Sequence, residues 1–409
     1  MKTIRPTSSF KPCPHTRWVP LLAACAVALI AHTTRGDSGA AHRSWQPWPI
    51  SLGTSGGNIN AVNNPITPTY CCSGTLGALV QDDAGNQYIL GSAILALAGA
   101  GQIGDAITQP GTIDYRCGTE PFSEVAYLSA YVPLQYYYTK NNKPPNYVSA
   151  AIAQVRNCAV KPGGDILDIG PVNSVTTAPS LGLKVKKSGR QTGLTFGSIK
   201  AINVAVDADG APTACNSTAQ RNARMVNQFK ISSGFAVMTQ DSGSLVVTDE
   251  PGLPRPVGIV WAHSPTFVLA CPIDAALTQL SEDLSQRVGS PRTLSFPPIH
   301  TASAALGISG ADTVAGAARA TDSALSVAVP NDLINQIKVE RALLAQERHF
   351  KALFNVPDVV GHGIGLSDED DPVIEVYLRN ENARSRARIP AALDNVPVRV
   401  LVTGPFTAN

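Results

Sequence analysis

Between Cys71 and about Leu280 the apolar residues come in short runs, broken every few positions by Gly, Asp, Asn or Pro. The run "GTLGALV" (74–80) is followed by the polar "QDDAGN" and then by "QYIL". That pattern predicts a hairpin: apolar strand, Asp/Gly/Asn turn, apolar strand. Further strands are predicted at "SEVAYLSAYVPL", "SAAIAQV", "GSIKAINVAV", "QFKISS", "SLVVT" and "PVGIVWA", with no long helical period between them. "YYY" (136–138) suits a strand whose side chains alternate between two faces. Many short strands separated by turns predict an all-β body, a sandwich or a pair of barrels. The period changes after residue 330. A helix is predicted from Asn331 to Phe354, with Leu333, Ile337 and Leu344 near one face and Leu343, Glu347 and Phe350 further round. Strands in "NVPDVVGHGIGLS", "PVIEVYL" and "VPVRVLVTGPF" follow, which makes a small α+β unit of ferredoxin-like type.

The two ends of this pattern read differently. Residues 1–17 carry Lys2, Arg5, Lys11 and Arg17 and no acid, and the apolar run "WVPLLAACAVALIA" follows from Trp18 to Ala31. The run is short for a membrane span and suits a secretory signal, with cleavage expected within 31–42. "LAAC", ending at Cys25, resembles a lipoprotein cleavage box, but apolar residues continue beyond it. The expected organisation is a signal peptide (1–36), a Gly/Asn/Pro/Thr-rich lead-in (37–69) and the β-rich body (70–288). An Ala/Ser/Gly/Pro-rich linker (289–330) and the α+β unit (331–409) complete it.

Removing residues 1–36 takes away five basic residues and no acidic one, which moves the formal charge from +2 to −3. Such a chain has no electrostatic reason to bind nucleic acid or an anionic membrane. Six cysteines remain after the signal: Cys71, Cys72, Cys117, Cys158, Cys215 and Cys271. An even number in an exported chain predicts disulfides, and adjacent Cys71 and Cys72 are expected to take different partners. No paired CxxC spacing supports a zinc site, and no cofactor or metal is expected.

The stretch "TQDSGSLVV" (239–247) brings in chemistry. Asp-Ser-Gly before strand-forming residues is how trypsin-like proteases present a nucleophile, so Ser242 is the candidate, flanked by Asp241 and Gly243. Three separated segments resemble the trypsin-like (chymotrypsin-fold, PA clan) serine proteases, closest to the bacterial and plant branch that includes the narrow-leaf protein of rice. They are "CSGTLGALVQDDAGNQYIL" (72–90), "KVKKSGRQTGLTFGSIKAINV" (184–204) and "QDSGSLVVTDEPGLPRPVGIVWAHS" (240–264). The resemblance covers roughly residues 70–285. It implies an all-β two-barrel chymotrypsin-like body, followed here by the C-terminal unit.

The resemblance also implies a catalytic triad, and the chain departs from it. The mechanism needs a base that takes the serine proton, a carboxylate that orients the base, and backbone N–H donors for the oxyanion. Where the branch has histidine after its first hairpin, "ILGSAILALAG" places Ile94. Where it has aspartate, "VSAAIAQV" places Ser149. No histidine lies between His42 and His263, so no shift of register supplies one. Two residues before the serine, where these enzymes use glycine in the oxyanion loop, stands Gln240, which a positive φ would strain.

Other candidates have plainer explanations. His263, at the end of "GIVWAH", is a poor alternative base, because the strand it sits on flanks the substrate cleft. Lys187 and Arg190 sit in the Lys-Ser-Gly-Arg segment, where a Ser-Lys dyad is conceivable, but both suit structural roles better. His300, His349 and His362 fit surface or packing positions. "SDEDD" (367–371) lacks calcium-loop spacing and fits a solvated turn. "RNENARSRAR" (379–388) fits an exposed loop, and "NST" (216–218) is a sequon only in a eukaryotic secretory route.

The expectation is therefore a secreted or cell-envelope serine peptidase homologue, catalytically inactive, that binds a peptide or protein. It would have no stable membrane span once the signal is removed. An active endopeptidase with a non-standard base is one alternative. A structural scaffold is the other, favoured if the cleft is filled by its own side chains, whereas an open cleft beside Ser242 favours the binding role.

Overall fold

The hairpin at residues 78–91 shows how local chemistry sets the strands. Asp82 turns its carboxylate back onto the loop, where it accepts from the Ala84 and Asn86 backbone N–H groups at 3.0 and 2.8 Å. This Asx-type turn brings Ala78 opposite Leu90 and Val80 opposite Tyr88. A computed structural model of the chain describes residues 39–62, 71–119, 123–137, 143–212, 220–232, 241–298 and 331–408.

In chain order the elements begin with the helical turn α1 (Ala40–Arg43), β1 (Thr54–Asn58), β2 (Gly74–Leu76), β3 (Ala78–Asp82) and β4 (Gln87–Gly91). Then come β5 (Ala106–Thr108), β6 (Glu124–Tyr131), β7 (Pro145–Asn146) and β8 (Ala151–Val155). A second series follows: β9 (Lys184–Gly189), β10 (Gly193–Pro212), β11 (Gln220–Ile231), β12 (Leu245–Thr248), β13 (Pro256–His263) and β14 (Val268–Pro272). The helix α2 (Ile273–Val288) and β15 (Leu294–Ser295) close the body. The C-terminal part contains α3 (Asn331–Phe354), β16 (Val359–Leu366), β17 (Pro372–Leu378), α4 (Ala383–Arg386), β18 (Ala392–Leu393), β19 (Val396–Val402) and β20 (Phe406–Ala408).

Two rings of strands form from the body. In the first, β1 pairs with β2, and β2 runs through Gly77 into β3. β3 pairs with β4, β4 with β8, β8 with β6, β6 with β5, and β5 returns to β1. In the second, β9 pairs with β10, β10 with β11, β11 with β14, β14 with β13, β13 with β12, and β12 returns to β9. With β2–β3 taken as one bent strand, each ring visits its six strands in the order first, second, third, sixth, fifth, fourth. This repeated closed order is consistent with the expected two-barrel body.

Several elements depart from the sequence expectation. β1 lies in the expected lead-in; its residues are "TSGGN", all buried although none is apolar. α2 interrupts the strands near the end of the body, with Ile273, Ala276, Leu277, Leu280 and Leu284 buried on one face. Residues 291–298, assigned to the linker, pack on the first ring: Leu294 pairs with Asp82 and Phe296 is buried. The rest of the linker, 299–330, lies outside the described residues, as do the signal segment, Cys215, His300 and the sequon.

The C-terminal helix has the expected bounds, but it presents a different face. Ile337 and Leu344 are exposed, and the buried positions are Ala342, Ala345, Gln346 and Leu353. The strands beyond it extend the second ring's sheet rather than standing apart. β16 pairs antiparallel with β10 (Ile202 opposite Ile364), β17 with β16, and β19 runs parallel to β17. A buried ion pair crosses this seam: Lys230 of β11 bonds Glu375 of β17, which also accepts from Arg399 at 2.5 Å and from the Tyr377 hydroxyl at 2.8 Å. Segment 379–388 holds the short α4, capped by Asn382.

Cys71 is bonded to Cys117, and Cys72 and Cys158 are also in disulfides. Cys271 departs from the expected set: it is a free, fully buried thiol on β14, and burial pushes its pKa up to about 11. Among the described residues no helix is long and apolar enough to cross a membrane.

Candidate active site

Ser242 lies where the two rings meet. Gly243 has φ +100°, a conformation that favours glycine, and a Cβ there would stand 2.3 Å from the Thr75 carbonyl oxygen. Its N–H donates to the Val260 carbonyl at 2.8 Å, and the Val260 N–H donates to the Ser244 carbonyl at 3.0 Å, so the loop is laced to β13. On the other side the Thr75 N–H donates to the Ser242 carbonyl at 2.8 Å. Gly77 lets the first ring come close: a Cβ on it would meet the Gly243 carbonyl oxygen at 2.2 Å.

The loop is held from beneath by Asp241. Its carboxylate accepts from the Gln191 backbone N–H at 2.8 Å, from the Thr192 hydroxyl at 2.7 Å and from the Lys187 ammonium at 3.1 Å. Lys187 and Asp241 are both buried, and burial lowers the Lys187 pKa against the opposing pull of Asp241. Lys187 also donates to Thr192 at 2.7 Å and makes no hydrogen bond to Ser242. It positions the loop and does not form a Ser-Lys dyad. Arg190 is likewise structural: its guanidinium grips Asp114 of the first ring at 2.6 and 2.5 Å, and its backbone N–H donates to the Thr75 hydroxyl.

Ser242 itself is only 2% exposed, and its hydroxyl bonds the Ser92 hydroxyl at 2.9 Å. Ser92 caps the helical turn Ala93–Gly99, accepting from the Ile94 N–H at 3.4 Å. Ile94 is buried, and its Cγ2 and the Ser242 carbonyl oxygen both close on Gly74, at 2.7 and 2.6 Å from where a Cβ would stand. The Ser149 hydroxyl accepts from the Ala93 N–H at 3.4 Å. The turn that carries Ile94 thus reaches Ser242 through Ser92 and Ser149 through Ala93, and sequence reasoning missed Ser92, the residue that touches the Ser242 hydroxyl. A serine next to a buried glycine carries no sequence signal of that role.

No described histidine bonds Ser242. His263 lies on β13, partly buried; desolvation lowers its pKa, and its Nδ1 is buried without a partner. His42 is fully buried elsewhere, bonding the Gly53 carbonyl through Nδ1 at 2.8 Å and Asp168 through Nε2 at 3.0 Å. His349 faces Asp394 at 3.3 Å. His362 is buried between Phe350 and Phe354. Gln240, expected in the oxyanion loop, lies outside the described residues.

The edge of β13 beyond the Ser242 loop is occupied. β12 reaches β13 only as far as the Ser244–Val260 contact. Past that point β20 takes over, with Ala408 opposite Ala262 and Thr407 opposite His263. The strands are antiparallel, so residues 406 to 408 advance toward the Ser242 loop. On its other side β20 runs parallel to β10, with Phe406 opposite Ala208.

No family model matches the chain, and no curated protein matches it. Solved structures do match, chymotrypsin-like serine proteases among them. A glutamic acid specific serine protease, described as using a histidine triad in substrate binding, is 16% identical over 56% of this chain and 96% of its own, with a TM-score of 0.36. Thermobifida fusca Protease A is 13% identical over 60% and 97%, at 0.33. Nocardiopsis protease is 14% identical over 52% and 92%, at 0.32. The two-ring architecture rests on the strand pairing described above rather than on these loose superpositions.

Proposed function

We propose that this chain is an exported serine-peptidase homologue of the chymotrypsin type, in the narrow-leaf-like branch, that holds a peptide or protein segment without cleaving it. The observation that carries this reading is the partner of Ser242. Its hydroxyl meets the neutral hydroxyl of Ser92, which opens the turn that carries Ile94 and bonds Ser149 through Ala93. A serine hydroxyl attacks a carbonyl only when a base takes its proton, and neither a second hydroxyl nor an isoleucine side chain is such a base at neutral pH. In enzymes of this mechanism, loss of the histidine alone costs about 10⁶ in kcat, about as much as loss of the whole triad. Any remaining acceleration would come from binding and an oxyanion hole, about 10³–10⁴ over water.

The test is hydrolysis of a mixed peptide library by the mature protein, beside Ser242→Ala. The expected result is no cleavage above the Ser242→Ala background. Cleavage that disappears in the variant would replace this reading with an active peptidase using a non-standard base.

A further inference from the structure

We propose that the slot between β10 and β13 is a binding site for an extended peptide, and that residues 406–408 are its built-in occupant. This inference rests on the peptide-holding reading and specifies where the segment sits. The slot has strands on both sides: the backbone of β20 pairs with Ala208 and Asp209 of β10 and with Ala262 and His263 of β13. Backbone pairing to an exposed edge gives affinity, and a side-chain pocket gives selectivity. The pocket here receives Phe406, which is fully buried with its ring 5.8 Å from that of Tyr377 at 65°.

The connection is built to deliver the segment. The Thr403 N–H donates to the Leu378 carbonyl at 3.0 Å, which ends the run of β19. Gly404 then adopts φ +73°, a left-handed turn that redirects the chain from β19 toward β13. The segment is thus tethered to the slot through one short turn. A short tether gives an effective concentration on the order of millimolar, so a free peptide at micromolar concentration loses the competition while the tethered copy is present. The partner that fits is an extended segment with an aromatic residue for the Tyr377 pocket, approaching in the same direction as β20.

The test uses the full chain, the chain ending at Thr403, and a fluorescein-labelled peptide of the sequence Thr403–Asn409. Anisotropy reads binding, hydrogen exchange at residues 208–209 and 262–263 reads location, and circular dichroism checks the fold. The shortened chain should bind the peptide at least about a hundredfold tighter than the full chain, with protection confined to the slot. The full-length Phe406→Ala variant, which keeps the tether and weakens the anchor, should fall between them, and it carries the test if the shortened chain fails to fold. Equal binding by the full chain, or no gain in either variant while folded, would overturn the slot. Peptide that binds and is then hydrolysed would overturn the non-catalytic reading and leave the slot standing.

Discussion

The Ser242 loop shows how one buried ion pair fixes a backbone. Asp241 is the hub for a lysine, a threonine hydroxyl and two backbone N–H groups, and it lies two residues before a glycine at positive φ. A buried carboxylate without its cation keeps the desolvation cost and loses the compensating attraction. Lys187→Met keeps most of the apolar stem and removes the ammonium, its charge and its hydrogen bonds to Asp241 and Thr192 together. It should lower unfolding stability by about 3–5 kcal/mol, the usual cost of breaking a buried pair from one side. Urea unfolding checks this, and a change below about 1 kcal/mol, against the several expected from a buried pair, would mean that the pair does not hold the loop. At this scale the sequence is informative where chemistry is spelled by residue type. Asp-Ser-Gly marks the loop, and no histidine occurs from 43 to 262. It is silent on Ser92 and on the Lys187–Asp241 pair, because both depend on residues brought together from distant parts of the chain.

Elements are legible in proportion to their apolar pattern. The hairpin at 78–91 and the helix from Asn331 to Phe354 stand where alternation and turn chemistry put them. β1 escapes sequence reading because a strand of Thr, Ser, Gly and Asn has no apolar alternation. The spacing of Ile273, Ala276, Leu277, Leu280 and Leu284 is helical, but a long series of strands beside it masks the change of period. The face that α3 buries is not its most apolar one, because the surface it meets is polar at one point. There Gln346 donates to the Asn203 carbonyl at 3.0 Å and to Nδ1 of His362 at 2.8 Å. His362 is therefore held neutral with its proton on Nε2. Burial, aided by the nearby Arg224 charge and opposed by Asp207, pushes its pKa down to about 3. An unfolded chain protonates this group near 6.5, so the folded state binds fewer protons between these two values. Its contribution to stability is complete above about 6.5 and is lost as pH falls toward 3. The full effect is on the order of 5 kcal/mol, at about 1.4 kcal/mol for each pH unit separating the folded and unfolded values. Urea unfolding at pH 7 and pH 4 should show a loss that His362→Leu reduces by a few kcal/mol. An identical loss in both proteins would assign the acid sensitivity to the carboxylates instead.

At the scale of the whole molecule, the second ring does more than enclose a core. β10 is shared by the ring and the C-terminal strands, and the Lys230–Glu375–Arg399 cluster joins the two. The change of pattern after residue 330 thus hides a continuous sheet. No local pattern could reveal it, because strand pairing across more than 150 residues leaves no periodic trace. That continuity carries β20 back to the edge of β13 beside the Ser242 loop. Beside a loop fixed by a buried pair and an edge covered by the chain itself, the Ser242 hydroxyl bonds that of Ser92. The most direct measurement is labelling of the folded protein with a fluorophosphonate probe, beside Ser242→Ala and the chain ending at Thr403. The account predicts no labelling of Ser242 in either the full or the shortened chain, because removing β20 uncovers the edge and supplies no base. Labelling that vanishes in Ser242→Ala would contradict it, since only an activated serine reacts.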